Sequence, residues 1–188
     1  MKGIIVIAAS AGGFAPLRRI VAALPVPCSA AVFVVMHIGP HPSILPEILN
    51  NSGQHLVTFA QNGTTIEAGH IYVAPPDHHM FLRPDCIRLG QGPKVHYARP
   101  AADPLFISAA ETYGHRVMGI VLSGGDGDGA AGLRAVSEHG GIALVQNPDE
   151  AVVPSMPLAA ILADHPDACS VEEICRRVLA FCSHDTAV

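Results

Sequence analysis

The chain has no tryptophan, and aromatic residues make up only 5% of its 188 positions. Charge is sparse too: 11 Lys and Arg stand against 16 Asp and Glu, for a formal net charge of -5 and a pI near 6.1. The basic residues form no run, so the electrostatic footprint of a nucleic-acid binder is missing. No apolar stretch reaches membrane-spanning length, and Ile4–Ala9 is too short for a secretion signal and lacks its charged flank and cleavage site. A cytoplasmic protein with no membrane insertion is expected. The five cysteines are odd in number and show no CxxC or CxxH spacing, which excludes a disulfide frame or zinc site and fits reduced packing thiols. Neither GxxxxGK[ST] nor GxGxxG occurs, which removes the two common phosphate-cradling loops.

What is present is 49% hydrophobic residues punctuated by 18 Gly and 16 Pro, the composition of one compact globular domain with many tight connections. Residues 3–8 are continuously apolar, as in a strand buried on both faces of a parallel sheet. Phe14, Leu17, Ile20, Val21 and Leu24 then fall on one helical face, and Pro25 and Pro27 end that helix. A second buried strand is expected to run through Ala31–Ile38, stopped by Gly39-Pro40, with a short helix at about 43–50. LVTFA, HIYVAP, HMFLRP and CIRLG read as short strands of a hairpin-rich insertion, separated by Asn62-Gly63, Pro75-Pro76-Asp77 and Pro84-Asp85. Asp103-Pro104 reads as a helix start with Asp at the N-cap and Pro at N1. Strand 117–122, the loop SGGDGDG, helix 130–139, strand 142–145 and helices near 155–163 and 171–182 complete the pattern. The fold class is α/β: a doubly wound, mostly parallel, Rossmann-like sheet with an antiparallel β-hairpin insertion. Ligands in such sheets sit beyond the C-terminal strand ends.

Three such ends carry polar side chains: Ser10, His37 and the Asp126/Asp128 loop. Ser10 alone would read as a turn serine or N-cap. Small neighbours at Ala8 and Gly12, and a helix N-terminus just beyond, also suit a nucleophile next to oxyanion donors. Serine needs a base to take its proton and an acid to orient that base. His37 is the histidine placed at a buried strand end, and its plain reading is a structural histidine. Asp128, with Asp126 second, offers the acid, although a Gly/Asp turn with Asp128 capping its own helix explains the loop equally well. DGDG mimics the start of a calcium loop but has Ala131 at position 6 and Ser137 at position 12, so it lacks the ligands. His78-His79 face opposite ways on a strand with no third ligand, and both read as surface features. No metal site and no cofactor are expected.

Taken together, these segments resemble the catalytic domain of the chemotaxis protein-glutamate methylesterase family, CheB, over roughly residues 3–165. Ala8-Ala9-Ser10-Ala11-Gly12-Gly13 answers that family's Gly-Ala-Ser-Thr-Gly-Gly turn, and Met36-His37 its Gln-His pair. GHIYVAPPDHHMFL and RPAADPLFISAAE, the latter starting at Arg99, are similar to two further family segments. Ser123-Gly124-Gly125-Asp126-Gly127-Asp128-Gly129-Ala130-Ala131-Gly132 answers Thr-Gly-Met-Gly-x-Asp-Gly-Ala-Ala-Gly. The resemblance implies a single methylesterase-like catalytic domain over 1–188, with Ser10 as nucleophile, His37 as general base then acid, and Asp128 as orienter. It further implies backbone donors near Ala11, Gly12 and Gly125 for the oxyanion.

The implied substrate is a glutamate methyl ester on the cytoplasmic region of methyl-accepting chemoreceptors or a related methylated protein, with glutamine deamidation by the same chemistry. Arg99 reads either as a contact to that acidic surface or as a structural loop arginine. Ala11 and Gly125 depart from the family's Thr and Met. The family's receiver domain does not precede the first strand here, so control is expected in trans, from a separate response-regulator or kinase partner. Two alternatives stay open: a catalytically weak binding module in a signalling complex, and a serine esterase for a small-molecule ester.

Overall fold

Strands β1 (Gly3–Ala9) and β2 (Ala30–Met36) are apolar and buried at every position, because each is covered on both faces. Their side chains alternate between two cores. Ile4, Val6 and Ala8 enter one, and Ile5, Ile7 and Ala9 the other. The computed structural model describes residues 3–37, 39 and 41–183. The expected strand end at Ile38 and stop at Pro40 lie outside them. After β1 and β2 come β3 (Leu56–Phe59), β4 (His70–Val73), β5 (His79–Arg83), β6 (Cys86–Gly90), β7 (Val117–Val121), β8 (Ile142–Gln146) and β9 (Asp167–Cys169). Seven of them form one sheet in the order β3-β4-β2-β1-β7-β8-β9, parallel throughout, and β5–β6 form a separate antiparallel pair.

Helices α1 (Phe14–Ala23), α2 (Leu45–Asn50) and α6 (Val171–Ser183) cover one face through Leu17, Ile20, Leu49, Ile174 and Val178. Helices α3 (Ala102–Tyr113), α4 (Ala130–Glu138) and α5 (Ser155–Asp164) cover the other through Leu105, Phe106, Leu133, Val136, Met156 and Ala160, joined there by Met80, Leu82 and Ile87 of the small hairpin. Each fully buried Ile, Leu or Phe contributes roughly 1.5–3 kcal/mol, so the two cores tie all these layers into one unit. No helix among the described residues is long and apolar enough to cross a membrane.

The doubly wound sheet and the antiparallel hairpin match the sequence-based expectation, with two corrections to detail. Of the four strands assigned to a hairpin-rich insertion, β3 and β4 instead join the main sheet in parallel, and only β5–β6 is a hairpin. The ten residues 60–69 that link β3 to β4 are too few for the usual helical crossover, which is why the stretch resembles a hairpin in sequence. The helix N-caps also differ. α3 begins at Ala102, so Asp103 lies inside its first turn, and α4 is preceded by Gly129 rather than capped by Asp128.

Candidate active site

The parallel ladder fixes where the polar residues meet. β1 lies between β2 and β7, and Ala9 pairs with Met36, so the next residues, Ser10 and His37, leave adjacent strands side by side. Backbone bonds carry the ladder one step further: His37 N–H donates to Ala9 O at 3.0 Å and Ser10 N–H to Ser123 O at 2.9 Å. The chain runs from β1 to β2, crosses to the edge strand β3 and comes back to β4 on one side, then crosses to β7, β8 and β9 on the other. Ser10 therefore sits at the topological switch point, the usual ligand crevice of an open α/β sheet.

The turn that carries Ser10 is held by close backbone approach. Gly12 has φ of +76°, and a Cβ there would stand 2.5 Å from Val152 Cβ and 2.7 Å from Ser123 Oγ, so only glycine fits. Gly124 is as confined: its Cβ would overlap Met156 and come within 2.9 Å of Ser10 Cβ. Gly125, by contrast, meets only Val153 Cγ1 at 3.9 Å, so the missing methionine side chain leaves open space, not a clash. The fully buried Ser123 hydroxyl fastens two loops, donating to Ala11 O at 2.7 Å and accepting from Val153 N–H at 2.9 Å. The N–H groups of Ala11, Gly12 and Gly125 find no acceptor among the described residues.

His37 is held between two carboxylates. Nε2 lies 2.8 Å from Asp128 Oδ2 and Nδ1 lies 3.3 Å from Asp126 Oδ2. Burial disfavours the imidazolium, but the bond to Asp128 and the charges of both aspartates outweigh it, so the ring titrates above the ordinary histidine range. Asp128 is fully buried; burial alone would push its carboxyl up, yet His37 and the Ala102 and Asp103 amides hold it below the usual range. Among the described residues no hydrogen bond joins the Ser10 hydroxyl to His37.

The two corrected caps explain the rigidity behind this group. Asp128 accepts N–H bonds from Ala102 and Asp103 at the start of α3, while Asp103 Oδ1 accepts from Gly129 at 3.0 Å and Gly132 at 2.7 Å at the start of α4. Each aspartate caps the other's helix, so α3 and α4 are locked at the point where Asp128 meets His37. Asp103 Oδ2 also meets His96 Nε2 at 3.1 Å. Ligand atoms of His96, Asp103 and Asp128 gather within 4.8 Å of one another, but these carboxylate oxygens already accept N–H bonds, so a cation would have to displace them.

Ser10, His37 and Asp126 open onto a cavity of about 300 Å³ whose far wall is built from Asp77, Lys94, His96, Tyr97 and Arg99. Arg99 reaches this wall but spends its guanidinium within it, donating to Asp77 Oδ1 at 2.9 and 2.6 Å and to Gly92 O at 2.7 Å. That bond and charge hold the Asp77 carboxyl below its usual range. His79, expected at the surface, is instead 2% exposed. It accepts from Ala101 N–H at 3.2 Å and faces Pro93 O at 3.0 Å, bracing both ends of the wall segment, because a histidine offers one donor and one acceptor where the hairpin passes under that segment.

Of the residues singled out in the sequence, Ser10 and His37 stand at the ends of adjacent strands and Asp128 and Asp126 both lie against His37. The structural parts of Asp77 and His79 went unread, their only signal being polarity next to a proline-rich turn, and Asp103, read as the cap of its own helix, caps α4 instead. All five cysteines are free thiols, as expected.

Against known proteins, residues 5–178 match the family model described as CheB methylesterase. A putative protein-glutamate methylesterase/protein-glutamine glutaminase of Leptospira interrogans is 35% identical over 177 residues, 90% of each chain. A protein-glutamate methylesterase/protein-glutamine glutaminase 2 of Caulobacter vibrioides is 38% identical over 170 residues, covering 87% of this chain and 49% of its own length. The crystal structure of the Thermotoga maritima CheB methylesterase catalytic domain superposes with a TM-score of 0.90 at 27% identity, over 96% of this chain and 98% of that one.

Proposed function

The chain belongs to the CheB methylesterase family, and from that premise we propose that it is a serine hydrolase acting on glutamate methyl esters of chemoreceptor-type proteins. Glutamine deamidation follows by the same acyl transfer. The observation that carries this reading is the placement of Ser10 and His37 at the ends of adjacent strands on one cavity, with His37 Nε2 anchored to the buried Asp128 at 2.8 Å.

In this reading Nε2–H of neutral His37 donates to Asp128, which leaves Nδ1 bare to accept the Ser10 proton. Ser10 Oγ attacks the ester carbonyl carbon, and its oxygen takes up negative charge. The N–H groups of Ala11, Gly12 and Gly125, without an acceptor among the described residues, belong to the loops that follow β1 and β7 and are the donors on hand to stabilise it. Collapse breaks the carbon–oxygen bond to the methoxy group, which takes the proton from His37 and leaves as methanol. Water, deprotonated by His37, then hydrolyses the glutamyl ester of Ser10 and frees the carboxylate. For glutamine the leaving group is ammonia.

A fluorophosphonate probe should label Ser10 in the folded protein, and Ser10→Ala should lose labelling together with at least about a thousandfold of turnover. His37→Gln is expected to fall nearly as far, because the two act as a unit. Methanol release from a methylated receptor fragment completes the test. Absence of Ser10 labelling would sink the hydrolase reading in favour of a binding module, and turnover of small esters alone would move the substrate to a small molecule.

A further inference from the structure

The reaction needs one carboxylate on His37, and the site contains two. Asp126 Oδ2 lies 3.3 Å from Nδ1 while Asp128 occupies Nε2, and His37 and Asp126 both line the cavity with Ser10. The motif that residues 123–132 resemble carries glycine at position 126, so this second carboxylate is a feature of this chain's own sequence. Asp126 is also placed to move: its side chain is 35% exposed, against none of Asp128.

We propose that Asp126 is a competing carboxylate that holds the imidazolium of His37 at Nδ1 and releases it only when the ring loses its proton, thereby setting the lower pH limit for activating Ser10. The inference rests on the hydrolase reading above. With both nitrogens protonated and both facing carboxylates, His37 is a double donor and cannot accept from serine. When the Nδ1 proton leaves to solvent, the Asp126 contact becomes one between two acceptors. Asp126 then turns outward to water, and Nδ1 is free for the Ser10 hydroxyl. Once the ring is neutral Asp126 has left Nδ1 and touches neither serine nor substrate; it is a positioning residue acting through His37.

A purely structural role for Asp126 has its own support, since Oδ1 accepts the Asp128 N–H at 3.0 Å and so shapes the loop that delivers Asp128. The two roles use different oxygens and can be separated. Asn and Ser at 126 can both keep the turn bond to the Asp128 amide, and both remove the charge beside Nδ1. The other groups around the ring do not differ between these variants and wild type: Ser10 on the β1 turn, Asp128 behind it, and Asp77, Lys94, His96 and Arg99 on the cavity wall. Asp77 is paired with Arg99 and His96 with Asp103.

The test is a ring-carbon NMR titration of His37, assigned with His37→Gln, alongside the pH dependence of Ser10 labelling by the fluorophosphonate. In Asp126→Asn and Asp126→Ser the ring should titrate lower, with proton affinity reduced by about fivefold, the upper end for a partly exposed ion pair. The acid limb of Ser10 labelling should move the same way, giving up to about fivefold faster labelling near pH 6. Added salt should narrow the difference, since it screens the exposed pair. Unchanged His37 titration in both variants, with normal Ser10 labelling, would overturn the inference and leave Asp126 as a loop-shaping residue. If wild type is not labelled at any pH, the hydrolase reading and the role in activation fall together, while a lowered ring titration would still establish the Asp126 clamp itself.

Discussion

The two sides of the cavity are built on different principles. The floor, at the ends of β1 and β7, is held mainly by main chain: Ser10 N–H to Ser123 O, Gly13 N–H to Ser10 O and Gly124 N–H to Val153 O, each at 2.9 Å, with the Ser123 hydroxyl tying Ala11 to Val153 and glycines where no side chain fits. The wall, residues 91–101, contains no regular strand or helix. It is held by side chains: Arg99 on Asp77, His96 on Asp103, His79 on the backbone at Pro93 and Ala101. A backbone-built floor fixes where Ser10 leaves its strand, and catalysis demands placement to within about 0.5 Å. A side-chain-built wall can change its surface without disturbing them, which suits the part that meets a substrate.

The floor is most vulnerable at Gly12. Gly12→Ala forces a left-handed φ on a residue with a Cβ and drives that carbon into Val152 and Ser123. A loss of about 3 kcal/mol in urea unfolding is expected, with Ser10 labelling lost at temperatures where the fold persists. A smaller effect is expected where floor and wall are joined. Asp103 caps α4 through Oδ1 and holds His96 of the wall through Oδ2. Asp103→Ala leaves the Gly129 and Gly132 amides without their acceptor and should cost about 2 kcal/mol. Unlike Gly12→Ala, it should loosen both sides at once, seen as faster amide exchange in the α4 first turn and in residues 95–98. Protection unchanged in either place would show that the two sides are not coupled through this carboxylate.

How far the sequence revealed this arrangement depended on how each element is buried. β1, β2 and β7 are covered on both faces and so read as unbroken apolar runs, and the Gly-rich turns after them marked the strand ends where Ser10 and Asp128 lie. β3 has Leu56 60% exposed and only one buried position, so its period imitates a hairpin strand and hid its parallel pairing. β9, three residues long with Asp167 at its start, gave no signal. Asp103 and Asp128 each looked like the cap of its own helix, because a cap is read from local spacing. Their exchange is a tertiary fact, made by α3 and α4 meeting at their N-termini. Which carboxylate of Asp126-Gly127-Asp128 faces which ring nitrogen of His37 is likewise a tertiary fact: the α3 amides that Asp128 caps hold it at Nε2, and Asp126 meets Nδ1.

The smallest expected effect on stability lies at the tip of the wall, and its sign is opposite. Val95 and Ala98 exchange both backbone hydrogen bonds, at 3.1 and 2.8 Å, around His96 and Tyr97, whose φ values are +47° and +62°. Two positive φ values in a two-residue loop are the geometry for which Asn-Gly is the favoured pair, and a tyrosine in that place carries a conformational cost. Packing among the described residues hardly offsets it, since Tyr97 is 97% exposed at the cavity mouth. Tyr97→Gly relieves the backbone and loses almost no intramolecular packing. It should raise stability by about 0.5 kcal/mol after the glycine's own entropic cost. On a methylated receptor fragment the same change should raise KM several-fold and leave the rate of fluorophosphonate labelling at Ser10 unaltered, because the floor is untouched. A stability gain with KM unchanged would separate the wall from substrate recognition, and a fall in the labelling rate would show that wall and floor are one mechanical unit.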